Sequence, residues 1–190
     1  LISGYNDGEG LMFVRPANAP SSIQEQRDRR TNQFGNLGEA LVSYYVADDP
    51  KNIYGKEVDY SSDSVFIRAS RELALAGARI GQPDSYLYVF ERNPNDPSNR
   101  ASHFMEVPYV FNNLPAQALS EDKELAKLIN DYWVQFAKTG SPNGPELPAW
   151  PAYDLETKRH QVLDVKISQG ENDRKDEHDL MDIYVRDTYR

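Results

Sequence analysis

Two segments of this 190-residue chain carry side chains suited to acid–base chemistry. Glu9 lies in the turn-rich stretch GYNDGEG, and His103 lies in RASHFMEVPYVFNNL, residues 100–114. An imidazole oriented by a carboxylate is the usual general base for drawing a proton from a hydroxyl nucleophile. No cysteine is present, so a thiol nucleophile, a disulfide and a zinc–thiolate site are excluded for this sequence. A serine in a Gly-x-Ser-x-Gly elbow is absent too; Ser141, in TGSPNG, sits in a Pro/Gly loop after a helix. In serine hydrolases ordered Ser–acid–His, the acid-then-His order found here fits the last two members, which puts the nucleophile upstream. Most isolated histidines are structural, so residue types alone leave the partnership of Glu9 and His103 open.

The other candidates have plainer readings. Glu106 is read as a structural carboxylate beside the His103 loop. His160 precedes a strand and is expected at the surface or at an edge. His178, in DEHDLMD, has acids around it without the spacing a metal site needs, so a solvated helix face is expected and no metal is assigned. Asp63 is expected to cap a helix N-terminus. Trp133 and the tyrosines at helical or strand spacing read as core.

The elements that must position these residues follow from periodicity. Residues 1–5, LISGY, read as a short buried strand, and the asparagine, aspartate and glycines of the GYNDGEG stretch that ends it are expected to supply left-handed bends. Residues 20–34 are polar around Ile23 and Phe34, as in an exposed helix or lid-like insertion. Leu37, Leu41, Tyr44 and Tyr45 recur at helical spacing. A helix is expected over about 63–80 with Phe66, Ala69, Leu73, Ala76 and Ile80 as its apolar face, started by Ser62 or Asp63 and ended by Gly81 and Pro83. SYLYVF, residues 85–90, lacks polar alternation, as a strand covered on both faces does. A second helix over about 120–138 buries Leu125, Leu128, Ile129, Tyr132 and Phe136 and ends at Gly140. One last strand near 160 and a charged helix over about 173–187 close the chain. Alternating strands and helices with buried strands imply an α/β fold whose sheet is mostly parallel. Reactive residues in such sheets gather on loops leaving the carboxyl ends of strands, here NDGEG and RNPNDPSNRASH.

Bulk properties narrow the partners. The formal net charge is −9, the pI is about 4.8 and mean hydropathy is −0.72. An acidic balance argues against nucleic acid and anionic membrane surfaces, which need clustered Lys and Arg. No apolar run reaches the ~18 residues of a membrane span. The absence of cysteine and of an Asn-x-Ser/Thr sequon fits a bacterial or cytosolic origin and does not exclude export. The start at Leu1, with no Met and already in a strand, reads as a cut or processed end.

Several motifs in order resemble the type-B carboxylesterases. GYNDGEGLMF resembles that family's Gly-x-Asn-x-x-Glu-Gly segment, and ASHFMEVPYVF its His-x-x-Glu segment followed by Val-Phe. SDSVFIRASRELA, SYLYVFER and INDYWVQFAKTGSPNG…WPAYD are similar to further family segments in the same order, so the resemblance runs from residue 1 to about 154. It implies the C-terminal part of one α/β-hydrolase domain over residues 1–190, mostly parallel with flanking helices and incomplete without an upstream segment. It also implies that Glu9 is the acid and His103 the base of a Ser-Glu-His triad, whose serine and oxyanion-hole glycines lie outside this chain. Met12 and Phe13 resemble pocket-lining residues, core packing being the equal alternative, and Phe104 stands beside the imidazole. The sequence departs from the family at three places: Gly8 replaces an acid, with Asp7 one position earlier; Phe104 replaces a common Gly; and Arg100 replaces another.

The function so implied is serine carboxylic-ester hydrolysis of a small-molecule ester, with no cofactor. A complementary N-terminal fragment of the same esterase is the expected partner, and the isolated chain is expected to be inactive. The competing readings are a non-catalytic adhesion or binding member of the same fold family, and a stand-alone domain unrelated to catalysis.

Overall fold

A computed structural model describes residues 1–80, 84–96, 99–171 and 174–188. In chain order it holds β1 (Ile2–Asn6), α1 (Ile23–Phe34), α2 (Gly38–Tyr45), α3 (Ile53–Ser62), α4 (Arg68–Arg79), β2 (Tyr86–Phe90), α5 (Val107–Val110), α6 (Ser120–Thr139), β3 (His160–Leu163), β4 (Ser168–Gly170) and α7 (Lys175–Thr188). The chain divides into two compact units, Leu1–Asp7 with Ser70–Asn172, and Gly8–Ala69 with Asp173–Arg190.

The first unit contains the sheet, in the order β1-β2-β3-β4. β1 and β2 run parallel with Ile2 opposite Tyr86 and Asn6 opposite Phe90, and β3 runs parallel to β2. β4 turns back antiparallel on β3, so the last strand expected near residue 160 is two strands, split by the Asp164 bend region. β2 is the anticipated buried strand, with four of its five residues shielded. Its Tyr86 and Phe90 pack with Leu125, Ala126, Ile129 and Tyr132 of α6, with Trp150, and with Leu163 of β3. That α6 stripe follows the spacing of three and four read from the sequence, and Gly140 ends the helix in the left-handed conformation at φ 81°. On β1, Ser70 at the unit's end of α4 donates from Oγ to the Gly4 carbonyl at 2.9 Å and receives Ser3 Oγ on its own carbonyl at 3.2 Å.

The second unit has its own smaller core, built on Phe34, Leu41, Tyr45 and Met181. α1 begins at a side-chain cap: Ser22 Oγ accepts the Glu25 N–H at 3.1 Å, and the Glu25 carboxylate reaches one residue further back to accept the Ser21 N–H at 2.7 Å. Leu41 and Tyr45 of α2 are the fully buried pair of the spacing noted in the sequence.

Five expectations need correction. The helix expected from residue 63 begins ten residues earlier in assignment, at Ile53, and Asp63 starts a five-residue π-helical segment, Asp63–Ile67, inside the run and caps nothing. The face expected to be buried is not: Leu73 and Ile80 are 54% and 70% exposed, while Ser62, Asp63, Ile67, Arg71, Ala74 and Leu75 turn inward. The π segment adds a residue to the turn and so rotates the pattern that a constant 3.6-residue period would give. The expected stops at Gly81 and Pro83 lie outside the described residues. His160 is buried within β3, because Gly170 opposite it on β4 has no side chain and the imidazole fills that space. His178 is buried as well, against Asp63.

Candidate active site

His103 belongs to the first unit. Because β1 and β2 are parallel and in register, the chain leaves both at the same edge of the sheet, and the Asp7 N–H continues the ladder by donating to the Phe90 carbonyl at 3.1 Å. The long loop after β2 is tied at both ends. At its start Arg92, buried, donates from Nε to Asp122 Oδ1 at 2.7 Å and from Nη2 to Glu121 at 2.6 Å. Beyond its end Tyr109 donates its hydroxyl to the same Asp122 oxygen at 2.7 Å. Hydrogen bonds to Asp122 hold the Arg92 guanidinium above its ordinary range against the opposing effect of burial. Charged pairs of this kind with little solvent around them fix geometry strongly.

Between those ties the loop is held to the end of β1. Asn6 Nδ2 donates to the Ser102 carbonyl at 2.7 Å and to Glu106 Oε2 at 2.7 Å. The Asp7 carboxylate accepts the Ala101 N–H at 2.6 Å. Glu106 therefore plays the structural part read for it in the sequence. Residues 102–105 form a tight turn closed by the Met105 N–H on the Ser102 carbonyl at 3.1 Å. His103 is half-buried at the top of that turn.

Phe104 explains its own oddity. Its φ is +70°, in the left-handed region that favours glycine, and glycine is the residue common at this position in the resembling family. The ring is 59% exposed and tilts over the imidazole at 4.0 Å between centroids.

Glu9 belongs to the second unit. Glu9–Met12 form one 3-10 turn with no left-handed glycine in it; the expected left-handed bends are absent here, where Gly8 has φ −121°. Gly10 serves close approach instead. Its N–H donates to Ser62 Oγ at 2.9 Å, and a Cβ there would run into the Val58 carbonyl. This contact ties the turn to α3, and Glu9 is buried at 4% exposure. Met12 and Phe13 are 57% and 51% exposed within this chain. Phe13 stacks on Phe66 at 5.4 Å. The structure thus gathers Glu9, Met12 and Phe13 on one turn, and His103 and Phe104 on another.

Asp7 is a neighbour of the His103 turn that local residue patterns do not connect to it. The stretch NDG reads as turn chemistry, and no local signal pairs it with Ala101, almost the whole unit away in sequence. Burial raises its carboxyl to about 7, with Glu91 adding to the rise while the Ala101 N–H and Arg100 oppose it. Among the described residues no group of three or more His, Asp or Glu is placed to hold a metal ion, and no helix is long and apolar enough to cross a membrane.

The mostly parallel sheet with flanking helices matches α/β-hydrolase architecture. The Carboxylesterase family model matches residues 1–181, and the chain belongs to that family. It is 33% identical over 185 residues to para-nitrobenzyl esterase of Bacillus subtilis (strain 168), covering 93% of this chain and 36% of that protein. Human cocaine esterase is 25% identical over 185 residues, with 85% of this chain and 33% of that protein covered. Among solved structures, a PNB esterase superposes with a TM-score of 0.77 at 27% identity, over 95% of this chain and 38% of that one. The chain spans about a third of the length of these curated relatives.

Proposed function

We propose that residues 1–190 are the C-terminal portion of one α/β-hydrolase domain that hydrolyses carboxylic esters of small molecules. His103 is the general base and Glu9 its orienting acid. The observation that carries the reading is the Carboxylesterase family match over residues 1–181, a span that contains both Glu9 and His103. The tethering of the His103 turn by Asn6, Asp7 and Glu106 supports it, since a base must be held in place to act.

In this reading His103 takes the proton of an upstream serine hydroxyl as its oxygen attacks the ester carbonyl. The tetrahedral species collapses to an acyl-enzyme, and the same proton passes to the departing alkoxide. Water then repeats the cycle and frees the acid. Glu9 fixes the imidazole tautomer and stabilises the imidazolium; oxyanion donors come from the upstream segment. Met12, Phe13 and Phe104 line the substrate space, consistent with their exposure.

The upstream segment is the chain's partner in the same domain. Among the described residues β1 pairs on one side only, and the stripe containing Leu73 and Ile80 is exposed, so an edge and an apolar surface are open to further chain. Without that segment the 190 residues hold a base and no elbow serine, and are inactive.

Fluorophosphonate labelling of the native preparation, followed by a denaturing gel and intact mass, tests this. The expected result is label on a longer chain that contains this one, or on a second polypeptide copurifying with it. Folded material that takes no label would overturn the reading in favour of a non-catalytic binding member of the family.

A further inference from the structure

Two consecutive side chains at the end of β1 grip the loop just before His103. Asn6 takes the Ser102 carbonyl, one residue away from the imidazole, and Asp7 takes the Ala101 N–H, two residues away, at 2.6 Å. Asn6 is a matched position of the resembling motif Gly-x-Asn-x-x-Glu-Gly; Asp7 occupies one of its variable positions. Ala101 is fully buried, so its N–H has no water to turn to if this acceptor is lost. The Asp7 backbone is itself fixed, its N–H on the Phe90 carbonyl and its carbonyl reached by Arg100 Nη1 at 3.5 Å.

We propose that Asp7 is a positioning residue for His103: by accepting the Ala101 N–H it sets the placement of the turn that presents the imidazole. The inference rests on the reading of His103 as the base. Its physical basis is that an ionised acceptor holds an N–H more tightly than a neutral one. The charged groups that bear on Asp7 are Glu91 after β2, which disfavours the carboxylate, and Arg100 on the loop, which favours it. Burial outweighs both and brings the ionisation to about 7, so the tether tightens as pH rises across neutrality.

The test is a pH titration from 5 to 9 of the 15N-labelled protein with its upstream segment, following the Ala101 amide, with the variants Asp7→Asn and Asp7→Ala. Wild type should show one downfield inflection of the Ala101 amide proton near pH 7. Asp7→Asn keeps an acceptor and should lose the inflection. Asp7→Ala should lose the acceptor and raise Ala101 amide exchange at least tenfold. A flat wild-type titration, or an inflection that survives in Asp7→Asn, overturns the tether. A second readout concerns the esterase that includes the upstream segment. There the pH–kcat profile should lose a component near 7 in Asp7→Asn, and Asp7→Ala should lower kcat about tenfold with KM unchanged. Equal loss of activity in both variants with no change in the profile overturns the positioning role. The amide titration needs no ester chemistry, so failure of the esterase reading would show in the labelling experiment and leave the titration as it is.

Discussion

Arg174 grips Asp63 with both arms of its guanidinium, Nη1 on Oδ1 at 3.0 Å and Nη2 on Oδ2 at 2.5 Å. Asp63 is fully buried, and the same carboxylate accepts the Tyr45 hydroxyl at 2.8 Å and faces His178 Nε2 at 3.3 Å. One carboxylate thus joins α2, the π segment and α7 inside the second unit. Burial works against the Arg174 charge, but Asp63 and Glu177 outweigh it and hold the guanidinium above its ordinary range. Burial and the same carboxylate push the Tyr45 phenol well above its usual value.

Breaking this pair from one side should be worse than removing it. Arg174→Met leaves a buried carboxylate without its main counter-charge and should cost about 3–5 kcal/mol in urea unfolding. The double variant Asp63→Asn with Arg174→Met should recover a substantial part of that loss. Additive losses in the double variant would mean the two side chains act independently.

Stability should fall as pH rises from about 4 to about 7 through Asp7. Its folded-state carboxyl ionises at about 7, above the ~3.9 of an exposed aspartate. Over that window the folded chain keeps a proton the unfolded chain has released, so the contribution is complete below the lower value and lost through the upper one. Urea midpoints across pH 4–8 check this, and the Asp7→Asn series should be flatter. A wild-type midpoint that climbs across the same window by an amount unaltered in Asp7→Asn would assign the pH dependence to other groups.

In the esterase containing the upstream segment, His103→Ala should lower kcat by roughly 10⁶-fold, and Glu9→Gln by roughly 10⁴-fold, with KM little changed. Steady-state hydrolysis of a para-nitrophenyl ester measures both. A Glu9→Gln enzyme within tenfold of wild type would remove Glu9 from the triad.

Phe104→Gly should stabilise the chain. A non-glycine residue in the left-handed region costs about 1–2 kcal/mol, and the ring is mostly exposed, so little burial is lost with it. After the entropy cost of glycine, about 0.5–1 kcal/mol should remain, read as a rise of a few degrees in Tm. The space beside His103 opens at the same time, and esters with bulkier acyl or alcohol groups should gain in kcat/KM relative to small ones. A lower Tm would show that the stacking of Phe104 on the imidazole outweighs its backbone strain.

Much of this was legible in the sequence where the signal is local. β2 announced itself by five apolar or aromatic residues with turn residues around them, and α6 by a stripe of constant period closed by Gly140. Glu106 reads as a structural carboxylate from its place beside the His103 loop, and it accepts from Asn6 Nδ2. The errors share one cause. Asp63 read as a cap and His178 as solvated because each was judged by its sequence neighbours, while their burial comes from each other and from Arg174, more than a hundred residues from Asp63. His160 read as peripheral because the glycine that makes room for it, Gly170, lies on the next strand. The π segment defeated a constant helical period and turned Leu73 and Ile80 outward.

The amino-acid sequence alone determined β2 and α6, the α/β class, and the family that the ordered motifs around Glu9 and His103 resemble. Those properties depend on residue type and spacing, which neighbours along the chain impose on one another. Tertiary structure alone decided that Asn6 and Asp7 clamp the loop before His103, that Phe104 takes a glycine's conformation, and that Asp63 and His178 are buried together. Each depends on which backbone hydrogen-bonding groups and charges lose water when distant segments meet, and a buried N–H such as that of Ala101 must then take whichever acceptor the fold brings to it.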